Sequence, residues 1–144
     1  MSEMITMRDA QLDDCERVFA WNCAPEVRAL SGDPRIIELA DHTRWFQRRL
    51  RNGPMWIVED AGAPVGVVRL DPGGDVTWIS IALAPEARGR GIGRRAIRAA
   101  CEAYQQPIHA TIRATNAASR ACFEASGFTL TSVTSDLVTY RWSP

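Results

Sequence analysis

The stretch that most constrains the fold runs from Ser80 to Arg95: an apolar run, a proline, a glycine-rich turn and the start of a periodic segment. Ser80-Ile81-Ala82-Leu83-Ala84 reads as a buried strand, and Pro85, with no amide hydrogen to give, ends its pairing. Gly89, Gly91 and Gly93 allow a tight turn and leave no side chain to block a ligand. From Ile92 the residues Ile92, Ala96, Ile97, Ala100 and Tyr104 recur at helical spacing, so a helix opens at the turn. Its first amides lack internal partners and welcome an anion. Arg88, Arg90, Arg94 and Arg95 stand at this same positive helix end, where cations are disfavoured; a bound anion resolves the conflict.

Two common phosphate loops do not fit. Counted from Gly89, the last place of Gly-x-Gly-x-x-Gly falls on Arg94. A Walker-type loop needs a lysine, and all 17 basic residues here are arginine. What remains is Arg88-x-x-Gly91-x-Gly93 between a strand and a helix. This resembles the acetyl-coenzyme A pyrophosphate loop of the GCN5-related N-acetyltransferase superfamily. Downstream, Asn116 followed by Ala117–Ala125 and then Gly127-Phe128 resembles that superfamily's closing helix.

The rest of the pattern agrees with one such domain over residues 1–144. It reads as a strand Met4–Arg8, a helix from about Leu12 to Asn22, and a helical turn Glu26–Leu30 opened by Pro25. A helix capped by Asp41 runs to about Arg51, followed by strands Met55–Glu59, Val65–Leu70 and Val76–Leu83. After the glycine turn and its helix come a strand Ile108–Arg113, the helix capped by Asn116, and strands Phe128–Val133 and Leu137–Trp142. The expected architecture is α+β: a mixed, mostly antiparallel sheet of about seven strands with helices on both faces.

Acidic and basic residues both total 17, so no global field draws the chain to nucleic acid or an anionic membrane. No apolar run is long enough to span a bilayer, and the start Met1-Ser2-Glu3 does not read as a signal peptide. The cysteines lack metal-ligand spacing and read as reduced packing residues of a cytoplasmic protein, so no metal is expected. The chain is expected to be a monomer or homodimer.

The resemblance implies acetyl-CoA as co-substrate and direct acetyl transfer to a primary amine. By it, Ile81, Ala82 and Leu83 line the pantetheine arm, and the Leu83 amide donates to the developing oxyanion. Arg88, Gly89, Arg90, Gly91, Ile92, Gly93 and Arg94 form the pyrophosphate loop, while Asn116, with Ser119, meets the arm. Two residues depart from the family pattern: Phe123 stands where many members carry an acidic tyrosine, and Thr111 where some carry a basic glutamate. Trp21-Asn22-x-x-Pro25-Glu26-Val27-Arg28 with His42-x-x-Trp45-Phe46 is similar to acetyltransferases of nucleotide-linked amino sugars, of the pseudaminic acid type. That similarity makes Glu26, His42 and Trp45 candidate substrate contacts, with His42 also the candidate base. A module that binds acetyl-CoA without turnover and an acetyltransferase of protein amino termini are the competing expectations.

Overall fold

The computed structural model describes residues 4–23 and 38–144. Its frame is a seven-stranded sheet in the order β1-β2-β3-β4-β5-β7-β6. The strands are β1 Ile5–Asp9, β2 Met55–Asp60, β3 Ala63–Gly73, β4 Val76–Leu83, β5 Ile108–Arg113, β6 Thr129–Val133 and β7 Leu137–Trp142. Every neighbouring pair is antiparallel except β4 and β5, which run parallel. A parallel pair needs a crossover, and the helix Ile92–Tyr104 supplies it.

Among the described residues, four α-helices cover the sheet: α1 Cys15–Cys23, α2 Leu39–Asn52, α3 Ile92–Tyr104 and α4 Ala117–Ala125. Strand alternation sorts their partners, because successive side chains point to opposite faces. Ile57, Val67 and Ala82 meet Val18 of α1 and Phe46 of α2 on one face. Val58, Val68, Leu70 and Ile79 meet Ile97 and Ala100 of α3 and Phe123 of α4 on the other. Helices therefore lie on both faces of a mixed sheet, as expected.

The differences from the sequence reading are local. The helix expected to begin at Asp41 begins at Leu39, with Glu38 at its N-cap. Asp41 instead sits in the first turn and pairs with Arg44, a carboxylate at the positive helix end. Strand β3 runs through Pro72 to Gly73, because Pro72 pairs with Thr77 in register and only Gly74 and Asp75 remain for the turn. The helical turn expected at Glu26–Leu30 lies outside the described residues.

One ionic cluster fixes the start of α1. Asp14 is 1% exposed and accepts both guanidinium nitrogens of Arg8, each at 2.9 Å. It also accepts the Gln11 amide at 2.8 Å and pairs with Arg17, while Arg8 reaches on to Glu59 at 2.9 Å. Burial alone would raise the Asp14 carboxyl, but the bonds from Arg8, Gln11 and Arg17 outweigh it and hold the group at about 2, against an ordinary 3.8. A carboxyl lowered on folding stabilises above its unfolded value and loses that contribution as pH falls through the folded one.

Asp14→Asn is therefore expected to cost about 2 kcal/mol at neutral pH. Urea melts should show the native chain losing that margin between about pH 4 and pH 2, while the variant's stability stays flatter across the same window.

Candidate active site

The site grows out of one departure from regular pairing. Strand β4 meets β5 at a single ladder position, Trp78 opposite His109. Beyond it the two parallel strands separate. On the other side β4 is fully paired with β3, from Gly66 opposite Leu83 to Gly73 opposite Val76. The Ala84 amide donates to the Val65 carbonyl at 2.8 Å. Hydrogen-bonding direction alternates along an antiparallel strand, so Ala82 and Ala84 face β3, while Ile81 and Leu83 present N–H and C=O toward the gap. The Leu83 carbonyl already takes a guanidinium nitrogen of Arg88 at 3.3 Å.

The gap opens onto the glycine turn. Gly89 and Gly91 have φ of 75° and 76°, a left-handed conformation that glycine adopts at no steric cost. Gly91 is the N-cap of α3 and brings no side-chain cap, so the first amides of the helix are left for another acceptor. Arg94 reaches back over this turn, with Nη2 4.0 Å from where a Gly91 Cβ would stand. Gly93 is required by close approach: a Cβ there would lie 3.1 Å from Cys122 Sγ and 3.6 Å from Leu83 Cδ1. That contact seats α3 against both α4 and β4.

Arg90 also anchors the turn. Its guanidinium is 2.7 Å from Asp60 at the end of β2, so it ties the turn to the β2–β3 hairpin. On the far side of the gap, Asn116 caps α4 as expected, its Oδ1 accepting the Ser119 amide at 3.1 Å. Ile81, Ala82 and Leu83 thus lie at the end of β4, Arg88–Arg94 in the turn and helix start that follow it, and Asn116 and Ser119 at the start of α4.

His42 does not join them. It is 3% exposed, its Nε2 donates to the Cys15 carbonyl at 3.0 Å, and its ring stacks among Phe19, Trp45 and Phe46. Burial pulls its proton affinity down, against the carbonyl bond. The expectation that His42 acts as base or substrate contact is corrected: it packs α2 onto α1. Trp45 is half-buried with the Arg69 guanidinium 4.9 Å from its ring centroid. Glu26 lies outside the described residues.

The two departures from the family pattern are also explained. Phe123 is buried edge-on against Phe128, with ring centroids 5.0 Å apart. Thr111 is exposed on β5, opposite Thr139 of β7. Burial raises the Cys122 thiol above its ordinary range, only partly opposed by the Arg94 charge, so it stays a packed thiol rather than a nucleophile.

A family model described as the acetyltransferase (GNAT) family matches residues 10–128. The chain belongs to this family. Among curated proteins none matches the sequence significantly. Solved structures of the same fold include the putative acetyltransferase yncA from Salmonella typhimurium with its cofactor acetyl-CoA, at 23% identity and a TM-score of 0.79, covering 97% of this chain and 94% of that one. A ribosomal-protein-alanine N-acetyltransferase from Brucella melitensis is 24% identical, with a TM-score of 0.78 over 96% of this chain and 99% of that one. The aminoglycoside acetyltransferase AAC(6')-Ib in complex with coenzyme A is 17% identical, with a TM-score of 0.80 over 97% and 95%. At such identities the likeness carries the fold; the family match carries the class. This GNAT chain is an N-acetyltransferase that uses acetyl-CoA.

The residues present fit that co-substrate. A strand edge with outward amides suits an amide-bearing arm, and left-handed glycines beside an uncapped helix end suit a diphosphate. Gly91→Glu places a carboxylate and a strained backbone where the diphosphate would lie. Calorimetry is expected to show CoA affinity falling more than about 100-fold, a loss of roughly 3 kcal/mol. Gly62→Ala, in the β2–β3 turn, should leave CoA affinity unchanged.

Proposed function

We propose that this GNAT chain transfers the acetyl group of acetyl-CoA to the primary amine of a small molecule, with a nucleotide-linked amino sugar the first acceptor to test. The observation that carries the reading is the edge of β4 left unpaired beyond Trp78, ending at the glycine turn. Acetyl-CoA supplies an activated acyl carbon with a thiolate leaving group. The amine gives up a proton to water as the C–N bond forms and the C–S bond breaks, and the chain supplies the binding and charge-stabilising groups. The amides of the first turn of α3 receive the diphosphate, with Arg88 and Arg94 adding charge. The Ile81 amide donates to a carbonyl of the arm as a neighbouring strand would. The Leu83 amide is the proposed donor to the oxygen on which charge builds, because a fixed N–H needs no reorganisation as charge develops. Asn116 keeps its side-chain NH2 for the arm while Oδ1 caps α4.

We place acceptor entry on the face that carries α1 and α2, the side on which Trp45 stands. Trp45 and Glu26 are the proposed acceptor contacts. A coenzyme thiolate is a tolerable leaving group, so the missing tyrosine at Phe123 does not forbid turnover.

A second reading has its own observation. Phe123 and Thr111 together remove a general acid and a general base, which suits a module that binds acetyl-CoA without turnover. An acetyltransferase of protein amino termini ranks below the first reading, because the same two residues are missing. Free-thiol release from acetyl-CoA, measured against a panel of amines, separates the readings. Acceleration by a small amine supports the enzyme; tight CoA binding with no acceleration by any amine or peptide supports the module.

Leu83→Pro removes one outward amide without breaking the β3 ladder. It is expected to lower kcat by about 100-fold and to leave the KM for acetyl-CoA within a few-fold of the native value. An unchanged kcat would remove Leu83 from the oxyanion role.

A further inference from the structure

Gly66 is buried within β3, where a glycine weakens the strand unless something needs the space. Its φ is not among the positive values of this chain, so backbone conformation does not call for it. Close approach does. A Cβ at Gly66 would stand 2.6 Å from Leu83 Cδ2, 2.8 Å from the Ala82 carbonyl oxygen and 3.3 Å from Leu83 Cα. The tip of a side chain can swing away from such a contact. A backbone carbonyl can move only with its whole peptide group.

That peptide group is the one whose nitrogen belongs to Leu83. In a trans peptide the C=O and N–H point opposite ways. The Ala82 carbonyl turned toward β3 and the Leu83 amide turned into the gap are therefore two ends of one rigid plate. The plate is held on the β3 side, with Gly66 opposite Leu83 and Val67 opposite Ala82. The next amide, Ala84, is bonded to the Val65 carbonyl at 2.8 Å. The Leu83 side chain is wedged between two glycines of different elements. Gly66 of β3 leaves room for its Cδ2, and a Cβ at Gly93 of α3 would stand 3.6 Å from its Cδ1. The β2–β3 register also shifts beside Gly66, between Val58, its partner, and Glu59, an irregularity that re-aims neighbouring groups.

We propose that Gly66 is a positioning residue for acetyl transfer: by carrying no side chain, it lets the Ala82–Leu83 peptide lie at the tilt that aims the Leu83 N–H into the gap. The inference rests on the oxyanion role proposed for that amide and adds the residue that sets its direction. Direction is what such a donor works through, since a fixed N–H stabilises charge only where it points. A larger residue at position 66 pushes the Ala82 oxygen away and turns the Leu83 N–H with it. The glycine turn proposed to receive the diphosphate is on another element and stays in place. The loss therefore falls on kcat and spares coenzyme binding.

The test compares Gly66→Ala with Gly73→Ala in the full chain. Gly73 lies at the other end of the same β3–β4 ladder, where a Cβ would meet only the Val76 carbonyl oxygen, at an ordinary 3.8 Å. Residual dipolar couplings, measured by NMR with CoA present, report the direction of each N–H. Gly66→Ala is expected to change the Leu83 coupling, and Gly73→Ala to leave it at the native value. Thiol release from acetyl-CoA is then followed with whichever of glucosamine, tyramine and spermidine accelerates it most. Gly66→Ala is expected to lower kcat about tenfold, with the KM for acetyl-CoA and the Kd for CoA within about threefold. Gly73→Ala should match the native chain in all three. If Gly66→Ala does not fold, the same comparison is made in a Leu83→Ala background, which removes the side-chain collision and keeps the carbonyl one. The same changes are expected there. The proposal is overturned if the added methyl leaves the Leu83 coupling unchanged, if kcat stays native, or if CoA affinity falls in step with kcat. A native chain whose thiol release no amine accelerates would instead defeat the acetyl-transfer reading, while the coupling still decides whether Gly66 sets the peptide.

Discussion

Everything at this site follows from a sheet that stops pairing part-way along. A parallel neighbour normally takes every second amide and carbonyl of a strand; here β5 meets β4 at Trp78 and His109 and then departs. The departure leaves the outward groups of Ile81 and Leu83 without a strand to bind. Backbone groups turned away from water need partners, and an extended, amide-bearing arm supplies them in the manner of an added strand. The gap persists because each wall is held from outside. Strand β4 is paired along its whole length with β3, and β5 with β7 from Ile108 to Arg113.

The glycine turn completes the arrangement at the other end. Left-handed backbone at Gly89 and Gly91 aims the first amides of α3 toward the mouth of the gap. Gly93 lets Cys122 and Leu83 press close enough to lock α3 beside α4 and β4. Arg90, bonded to Asp60, fixes the turn to the β2–β3 hairpin. The proposed anion site would thus be built from main-chain groups held by packing, so little need be reorganised on binding.

The sequence made some of this legible and hid the rest for physical reasons. Positive φ at the turn and the Asn116 cap are local requirements, and local chemistry announces them in the order of residues. His42 illustrates a signal that was present and outweighed: His42, Trp45, Phe46 and Arg49 keep one helical stripe, which points the imidazole inward. Taking Asp41 as the cap placed His42 at a helix end, where exposure is normal; the cap is Glu38, three residues earlier. The role of Arg90 depends on Asp60, a partner brought near only by tertiary structure. The meeting of Trp78 and His109, from which the gap opens, is hidden for the same reason, since it depends on the register of a crossover connection.

The most direct measurement is residue-resolved amide hydrogen exchange with and without CoA. The account predicts slowed exchange at Ile81 and Leu83 and at the amides from Gly89 to Arg94, with little change at the fully paired amides of β2 and β3. CoA bound at saturation with no added protection at Ile81, Leu83 or the glycine turn would contradict it.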